Sequence, residues 1–324
     1  MNHFKNGLVL GIAAAFWPAS AVLAQPYPSK SVRIVVPFAP GGTTDLLARV
    51  IAEPLGQALG QTVIVENKAG AGGALGAAEV ARAPGDGYVL LMSSVSTMAT
   101  NPAISPQTPY DPVSDFVHIS NVAATPNVIA VHPSFGARDY PGFADALRKR
   151  PGAFSYASAG NGSVGHLLAE LFKSTAKVHV THIPYRGSGP ALNDVVAGQL
   201  PIIVDNLPSA LPFIKDKRLV PIVVAAPQRL ASLPEVPTFA EVGLASVNRM
   251  SFLGVSAPKG TPRAVVDKLG AALKVALTNP KVRERIEATG AIFVGNSPDE
   301  YQKQVSDELA TYRRVVGEQK LKIE

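Results

Sequence analysis

The chain has 324 residues, no cysteine, 47% hydrophobic residues, and 30 Lys+Arg against 24 Asp+Glu for a formal net charge of +6. That length and apolar content supply one large packed domain or two of about 150 residues each, and they exclude disorder for most of the chain. Without cysteine there is no disulfide framework, thiolate metal site, cysteine nucleophile or lipidated cysteine, and a surplus of +6 spread among 17% charged residues, with no Lys/Arg run, is no nucleic-acid surface.

Residues 1–24 have the layout of a secretory leader: Lys5 gives the positive start, residues 7–16 the apolar stretch, and Val22, Leu23 and Ala24 a small-residue cleavage site before Gln25. The apolar stretch is about half of the roughly 20 residues a membrane-spanning helix needs, so a cleaved leader is expected rather than an anchor. Its removal takes one positive charge, leaving +5. Export is expected, into a compartment where ATP and NAD are not normally supplied.

Beyond the leader, short apolar runs bounded by Gly and Pro recur at 31–38, 62–66, 88–92, 127–131, 154–157, 178–183, 201–204 and 219–225. Such runs predict strands buried on both faces. Amphipathic helices are predicted between and after them. Residues 44–53 align Leu46, Leu47, Val50 and Ile51 on one stripe, with Pro54 positioned to end or kink that helix, and residues 299–316 align Tyr301, Val305, Leu309, Tyr312 and Val316. Alternating strands and helices predict an α/β fold with mainly parallel sheets.

One pattern occurs twice, about 120 residues apart: a strand, a Gly-rich turn, then a helix. The first copy runs from Val32 through Phe38, Ala39, Pro40, Gly41, Gly42, Thr43, Thr44 and Asp45; the second runs from Phe154 through Ser158, Ala159, Gly160, Asn161, Gly162, Ser163 and His166. Thr43 or Ser163 can cap the following helix, whose first amides lack intrahelical acceptors. Those amides and the positive end of the helix dipole suit an anion, so two copies on two lobes suggest one anionic ligand held between them.

The chemical motifs are weaker. Gly160, Gly162 and Gly165 fit a dinucleotide-binding spacing, but Tyr185, Arg186 and Gly187 stand where the ribose-binding acid belongs. Tyr156 occupies the first glycine position of a nucleophile elbow around Ser158. No zinc-protease helix, Walker loop or His–carboxylate pair occurs, so neither metal nor cofactor is expected. His166 reads either as a neutral donor beside the anion pocket or as a packing histidine, Asp45 as a first-turn carboxylate favourable to its helix dipole, and Asp205 as a residue at a strand's carboxyl end, where α/β proteins place ligands.

Taken together, several segments resemble the Bug family, the extracytoplasmic solute receptors of tripartite tricarboxylate transport systems. They include residues 27–30, 35–45, 65–73, 84–88, 109–113 and 115–116, the second Gly-rich loop with His166, and 182–187, 205–210, 233–238 and 257–262. One departure is Phe252, where relatives often carry Trp, within the atypical stretch 246–254.

The resemblance implies a two-lobed periplasmic-binding-protein fold, type II-like, with lobe 1 formed by 25–125 and 226–324 and lobe 2 by 126–225, joined by two crossovers. It implies a non-enzymatic, monomeric receptor that captures a small organic carboxylate through main-chain amides and bridging waters. The expected partners are the membrane components of a tripartite tricarboxylate transporter, or a sensor kinase if the receptor serves signalling. The ligand-binding candidates are Phe38, Ala39, Pro40, Gly41, Gly42, Thr43, Thr44, Asp45, Ser94, Ser158, Ala159, Gly160, Asn161, Gly162, Ser163, His166, Arg186 and Asp205, with Arg249 as a further guess at the ligand's far end. The competing expectation is an exported α/β hydrolase using Ser158 or Ser163 with a histidine.

Overall fold

The computed structural model describes residues 27–321, so the expected leader and its cleavage site lie outside the described residues. Strands are β1 (Val32–Val36), β2 (Val63–Asn67), β3 (Val89–Ser94), β4 (Phe116–Thr125), β5 (Asn127–Val131), β6 (Ser155–Ser158), β7 (Thr181–Pro184), β8 (Ile202–Asn206), β9 (Val220–Ala225), β10 (Ser251–Pro258) and β11 (Ile292–Phe293). Helices are α1 (Thr43–Leu59), α2 (Ala74–Ala81), α3 (Asn101–Ile104), α4 (Tyr140–Lys149), α5 (Val164–Ala176), α6 (Ser188–Val196), α7 (Leu207–Lys215), α8 (Arg263–Thr278), α9 (Pro280–Ala288) and α10 (Pro298–Glu318). Among the described residues no helix is long and apolar enough to cross a membrane.

The strands form two sheets, ordered β11-β4-β10-β3-β1-β2 and β7-β6-β8-β5-β9. Both are mixed rather than mainly parallel. β1 runs parallel to β2 and β3, and β6 to β7 and β8, whereas β10 is antiparallel to β3 and β4 and β5 is antiparallel to β8 and β9. The reversal has a topological cause. The βα units of each lobe bring the carboxyl ends of their strands to the border between the sheets. A strand entering from the other lobe starts at that border and must run away from it, as β5 does after β4 and β10 does after β9.

In the first sheet, alternate residues face opposite layers, as the pleat requires. Ile34 and Val36 pack with Leu47 and Ile51 of α1 and Leu269 of α8, while Val35 packs toward Ala77 and Val80 of α2 and Tyr301 and Val305 of α10. Pro54 does not end α1, which continues to Leu59. α10 starts at a capping box made by Ser297 and Glu300 and buries Tyr301, Val305, Leu309 and Tyr312.

Strands β4 and β10 were not read from the sequence, because each interleaves polar residues that are nevertheless buried. Hydrogen bonds compensate them: His118 Nδ1 to Ser256 Oγ at 2.8 Å, His118 Nε2 to the Pro112 carbonyl at 3.0 Å, and Ser120 Oγ to the Asn296 carbonyl at 2.8 Å.

The chain leaves the first sheet at Thr125 and enters the second at Asn127, and it returns only at Ser251. Residues 226–250, assigned above to the first lobe, pack instead on the second sheet. Phe239, Leu244 and Val247 join Ile129, Val223 and Ala225 in one core, and Thr238 bridges Val224. Asn127 ties the two passages together: its Nδ2 donates to the Arg249 carbonyl at 2.8 Å and its Oδ1 accepts from Ser251 Oγ at 3.0 Å.

Candidate ligand cleft

The two Gly-rich loops meet across the border between the sheets. α1 starts after Gly42, which offers no side chain to cap it, so among the described residues the amides of Thr43 and Thr44 donate to no protein acceptor. α5 starts after Ser163, whose Oγ accepts the His166 amide; the Val164 amide donates to Ser96 Oγ at 3.0 Å, and the Gly165 amide is left free. Two long helices thus point unpaired N–H groups into one space.

That space is a narrow, nearly closed cavity of about 20 Å³ between the lobes, lined by Phe38, Gly42, Thr43, Thr44, Ser94, Ala159 and Asp205 of the expected set. Its remaining walls are Val95, Ser96, Val164, Gly165, Ser188, Asn206, Ser251 and Phe252. Among the described residues no Lys or Arg lines it. An anion there would depend on amide and hydroxyl donors, each helix start adding about 0.3–1 kcal/mol through its dipole at exposed sites and more where water is excluded.

The lobes touch on both sides of the cavity. Thr100 Oγ1 donates to the Gly162 carbonyl at 2.7 Å, Thr43 Oγ1 donates to Ser209 Oγ at 2.9 Å, and the Ala39 amide donates to the Arg186 carbonyl at 3.0 Å. Gly72 approaches the second loop so closely that a Cβ built on it would lie 2.0 Å from the Asn161 carbonyl oxygen.

Other expected residues shape the loops and do not line the cavity. Asp45 is buried and accepts from the Gly41 amide at 3.1 Å, Asn67 Nδ2 at 2.9 Å and Arg49 Nε at 3.0 Å. Burial by itself would raise its carboxyl pKa, but these hydrogen bonds and the Arg49 charge hold it below the ordinary value. Asn67 Nδ2 also donates to the Phe38 carbonyl, so one side chain braces both ends of the first loop.

His166 does the same for the second loop. Its Nδ1 accepts the Gly162 amide at 3.1 Å, which fixes the neutral tautomer with the proton on Nε2. Its ring stacks on His182 at 4.0 Å between centroids, and His182 Nε2 meets Ser158 Oγ at 2.7 Å. Burial pushes both imidazoles down, His182 to about 3. Ser158 is fully buried, does not line the cavity and also receives the Gly160 amide.

Among the described residues Asp205 is the one ionisable group in the wall. It accepts from Ser188 Oγ at 2.5 Å and Ser209 Oγ at 2.6 Å, and burial, only partly offset by these bonds, pushes its carboxyl up to about 6. Arg186 is exposed and contributes its carbonyl alone. Arg249 grips Glu308 with both carboxylate oxygens at 2.8 Å, away from the cavity. Ser94 and Ser96 sit at the carboxyl end of β3, the position where α/β sheets present ligand groups, and that rule would have found Ser96.

Residues 47–321 match the family model described as the tripartite tricarboxylate transporter family receptor. Protein BugT of Bordetella pertussis is 35% identical over 320 residues, covering 98% of each chain. A solved structure of a periplasmic transporter is 47% identical with a TM-score of 0.90, covering 92% of this chain and all of that one. MatC from Rhodopseudomonas palustris, solved with bound malate, is 34% identical with a TM-score of 0.87, covering 90% of this chain and all of that one. The chain therefore belongs to the Bug group of tripartite tricarboxylate transporter receptors, the two-lobed periplasmic solute-binding proteins.

Proposed function

We propose that the protein is an exported receptor that closes its two lobes on a small organic carboxylate and delivers it to the membrane components of a tripartite tricarboxylate transporter. The observation that carries this reading is the convergence of two helix starts, one from each lobe, on a single cavity with unpaired amides and no Lys or Arg. The amides of Thr43, Thr44 and Gly165 receive one carboxylate, directly or through water, with the hydroxyls of Ser94 and Ser96 beside them. Phe38, Val95 and Phe252 cover the ligand's apolar stem.

Binding works through closure. Only in the closed arrangement do both helix starts face the same anion, so the ligand's differential affinity shifts the lobes toward that state. We place the second lobe at 126–250, the first lobe in the remainder of the mature chain, and the leader at 1–24. The malate held by the Rhodopseudomonas relative makes hydroxy acids and dicarboxylates the first compounds to test.

Thermal denaturation against a panel of hydroxy, dicarboxylic, tricarboxylic, aromatic and amino acids tests the reading. At least one acid should raise Tm in a concentration-dependent way. A folded protein that responds to none of them, while Ser158→Ala changes turnover of an activated ester, would move the protein to the hydrolase class.

A further inference from the structure

We propose that the start of α6 is the seat on which the first anion loop docks during closure, with Gly189 the residue whose missing side chain permits docking and Asp205 a positioning residue that orients the latch beside it. This rests on the carboxylate-receptor reading, because the docked loop is the one whose amides face the cavity.

The loop from Ala39 to Thr43 lies directly on the segment from Arg186 to Gly189. The Ala39 amide donates to the Arg186 carbonyl at 3.0 Å. A Cβ built on Gly189 would lie 2.1 Å from the Pro40 carbonyl oxygen, and one on Gly187 would lie 2.8 Å from the Ala39 nitrogen. The two glycines have different reasons to exist. Gly187 has φ +151, a conformation side chains rarely adopt. Gly189 has no such φ and belongs to a helix, where glycine is less favourable than alanine. Apart from its chain neighbours and its own helix backbone, the three atoms nearest to such a Cβ all belong to Pro40 or Gly41 of the other lobe. By contrast, a Cβ on Gly165 would strike the Val204 carbonyl of its own lobe at 2.3 Å.

Beside this seat the hydrogen-bond directions form a chain. Ser188 and Ser209 both donate to the Asp205 carboxylate, at 2.5 and 2.6 Å. An ionised carboxylate only accepts, so the Ser209 proton is committed inward and its lone pair faces the opposite lobe. Thr43 Oγ1 donates to that lone pair at 2.9 Å and receives the Ser209 amide at 3.1 Å. Neither Ser209 nor Gly189 lines the cavity, so their effect on affinity passes through closure.

The decisive experiment measures closure in ligand-free protein. The chain has no cysteine of its own, so Ala71→Cys and Asn161→Cys place one thiol on each of the two facing loops, where a short bismaleimide traps even a minor closed population. Gly189 precedes Pro190, which restricts a side chain at position 189, so Gly189→Ala is compared with its parent in a Pro190→Ala background. Gly189→Ala should slow cross-linking about tenfold or more and weaken affinity for whichever panel acid the parent binds by a similar factor. The Tm of the ligand-free protein should be unchanged or higher. Asp205→Asn and Ser209→Ala should each slow cross-linking several-fold.

Unchanged cross-linking in Gly189→Ala would overturn the proposal. So would a marked fall in Tm, since glycine would then serve its own lobe. If the parent binds no acid, the receptor reading fails on its own, and the cross-linking rate still judges Gly189.

Discussion

The backbone amide of Val164 donates to Ser96 Oγ at 3.0 Å, so the first amide of the lobe 2 anion helix is satisfied by a side chain of lobe 1. This bond forms only when the lobes meet. Together with Thr100 Oγ1 on the Gly162 carbonyl at 2.7 Å, it couples closure to the Gly-rich loop to which we assign the ligand. On the proposed reading, ligand recognition and lobe docking share atoms, and a change at Ser96 acts on both.

Ser96→Ala should weaken carboxylate binding by about tenfold. The closed state would leave the Val164 amide buried without an acceptor, which costs about 1–3 kcal/mol, whereas the open state lets water reach it. Calorimetric titration with the best acid of the panel measures the loss. Thr100→Ala should behave similarly, because the Gly162 carbonyl loses its donor; equal affinity in both variants would show that these bonds are absent from the bound state.

The two Gly-rich loops were legible in the sequence because their signals are local: glycines at turns, a capping Ser163, and helices starting at once. The rest of the cavity was not. Ser188, Asn206, Ser251 and Phe252 reach it from four separate elements, and only the packing of two sheets brings them together. Arg186 is expected among the ligand-binding residues, yet its side chain is exposed and its carbonyl is what meets the first loop. Strands β4 and β10 escaped notice because His118, Ser120 and Ser256 break the apolar pattern, and their burial is tolerable only through partners distant in sequence. The packing of the segment 226–250 is hidden for a related reason: nothing local in Phe239 or Leu244 says which sheet will cover them.

Gly162→Ala should reduce binding more than it reduces stability. Gly162 has φ +76, which costs a side chain about 1 kcal/mol or more, and a Cβ there would come within 3.0 Å of the Asn101 side chain of the other lobe. The first penalty applies to both open and closed forms, while the second applies only on closure. Urea denaturation and ligand titration on the same variant separate them, with the affinity ratio expected to exceed the stability change.

Acidification should destabilise the fold through its buried histidines. Burial lowers His182 to about 3 and His118 to about 4, from an ordinary value of 6.5. Their folded pKa values are depressed, so the unfolded chain binds protons first as pH falls. The stability they contribute is complete above 6.5 and drains as pH drops toward about 4 and then 3. Asp205 acts in the opposite sense, since its raised carboxyl favours the folded state as pH falls from about 6 toward 3.8, but one carboxyl opposes several depressed groups. Tm should therefore decline between neutral pH and about pH 5. His182→Gln should flatten that decline; an unchanged slope would assign it to other groups.

Tyr301 links core stability to the cavity wall, and two substitutions divide its roles. Its ring is fully buried, packs edge-on against Phe252 at 5.5 Å between centroids, and its hydroxyl meets Ser93 Oγ at 2.9 Å. Tyr301→Phe removes only the hydroxyl. Ser93 keeps its bond to the Gly254 carbonyl at 3.0 Å, so the cost should be about 1 kcal/mol with ligand affinity intact. Tyr301→Ala removes the ring and should cost about 3–5 kcal/mol by opening a cavity in the layer between β10 and α10. Because Phe252 lines the ligand space and loses its backing there, Tyr301→Ala should also weaken binding, even though Tyr301 itself does not line that space. Denaturant titration and ligand titration of both variants check this pattern, and an equal loss of affinity in Tyr301→Phe would mean that the hydroxyl, not the ring, supports the wall.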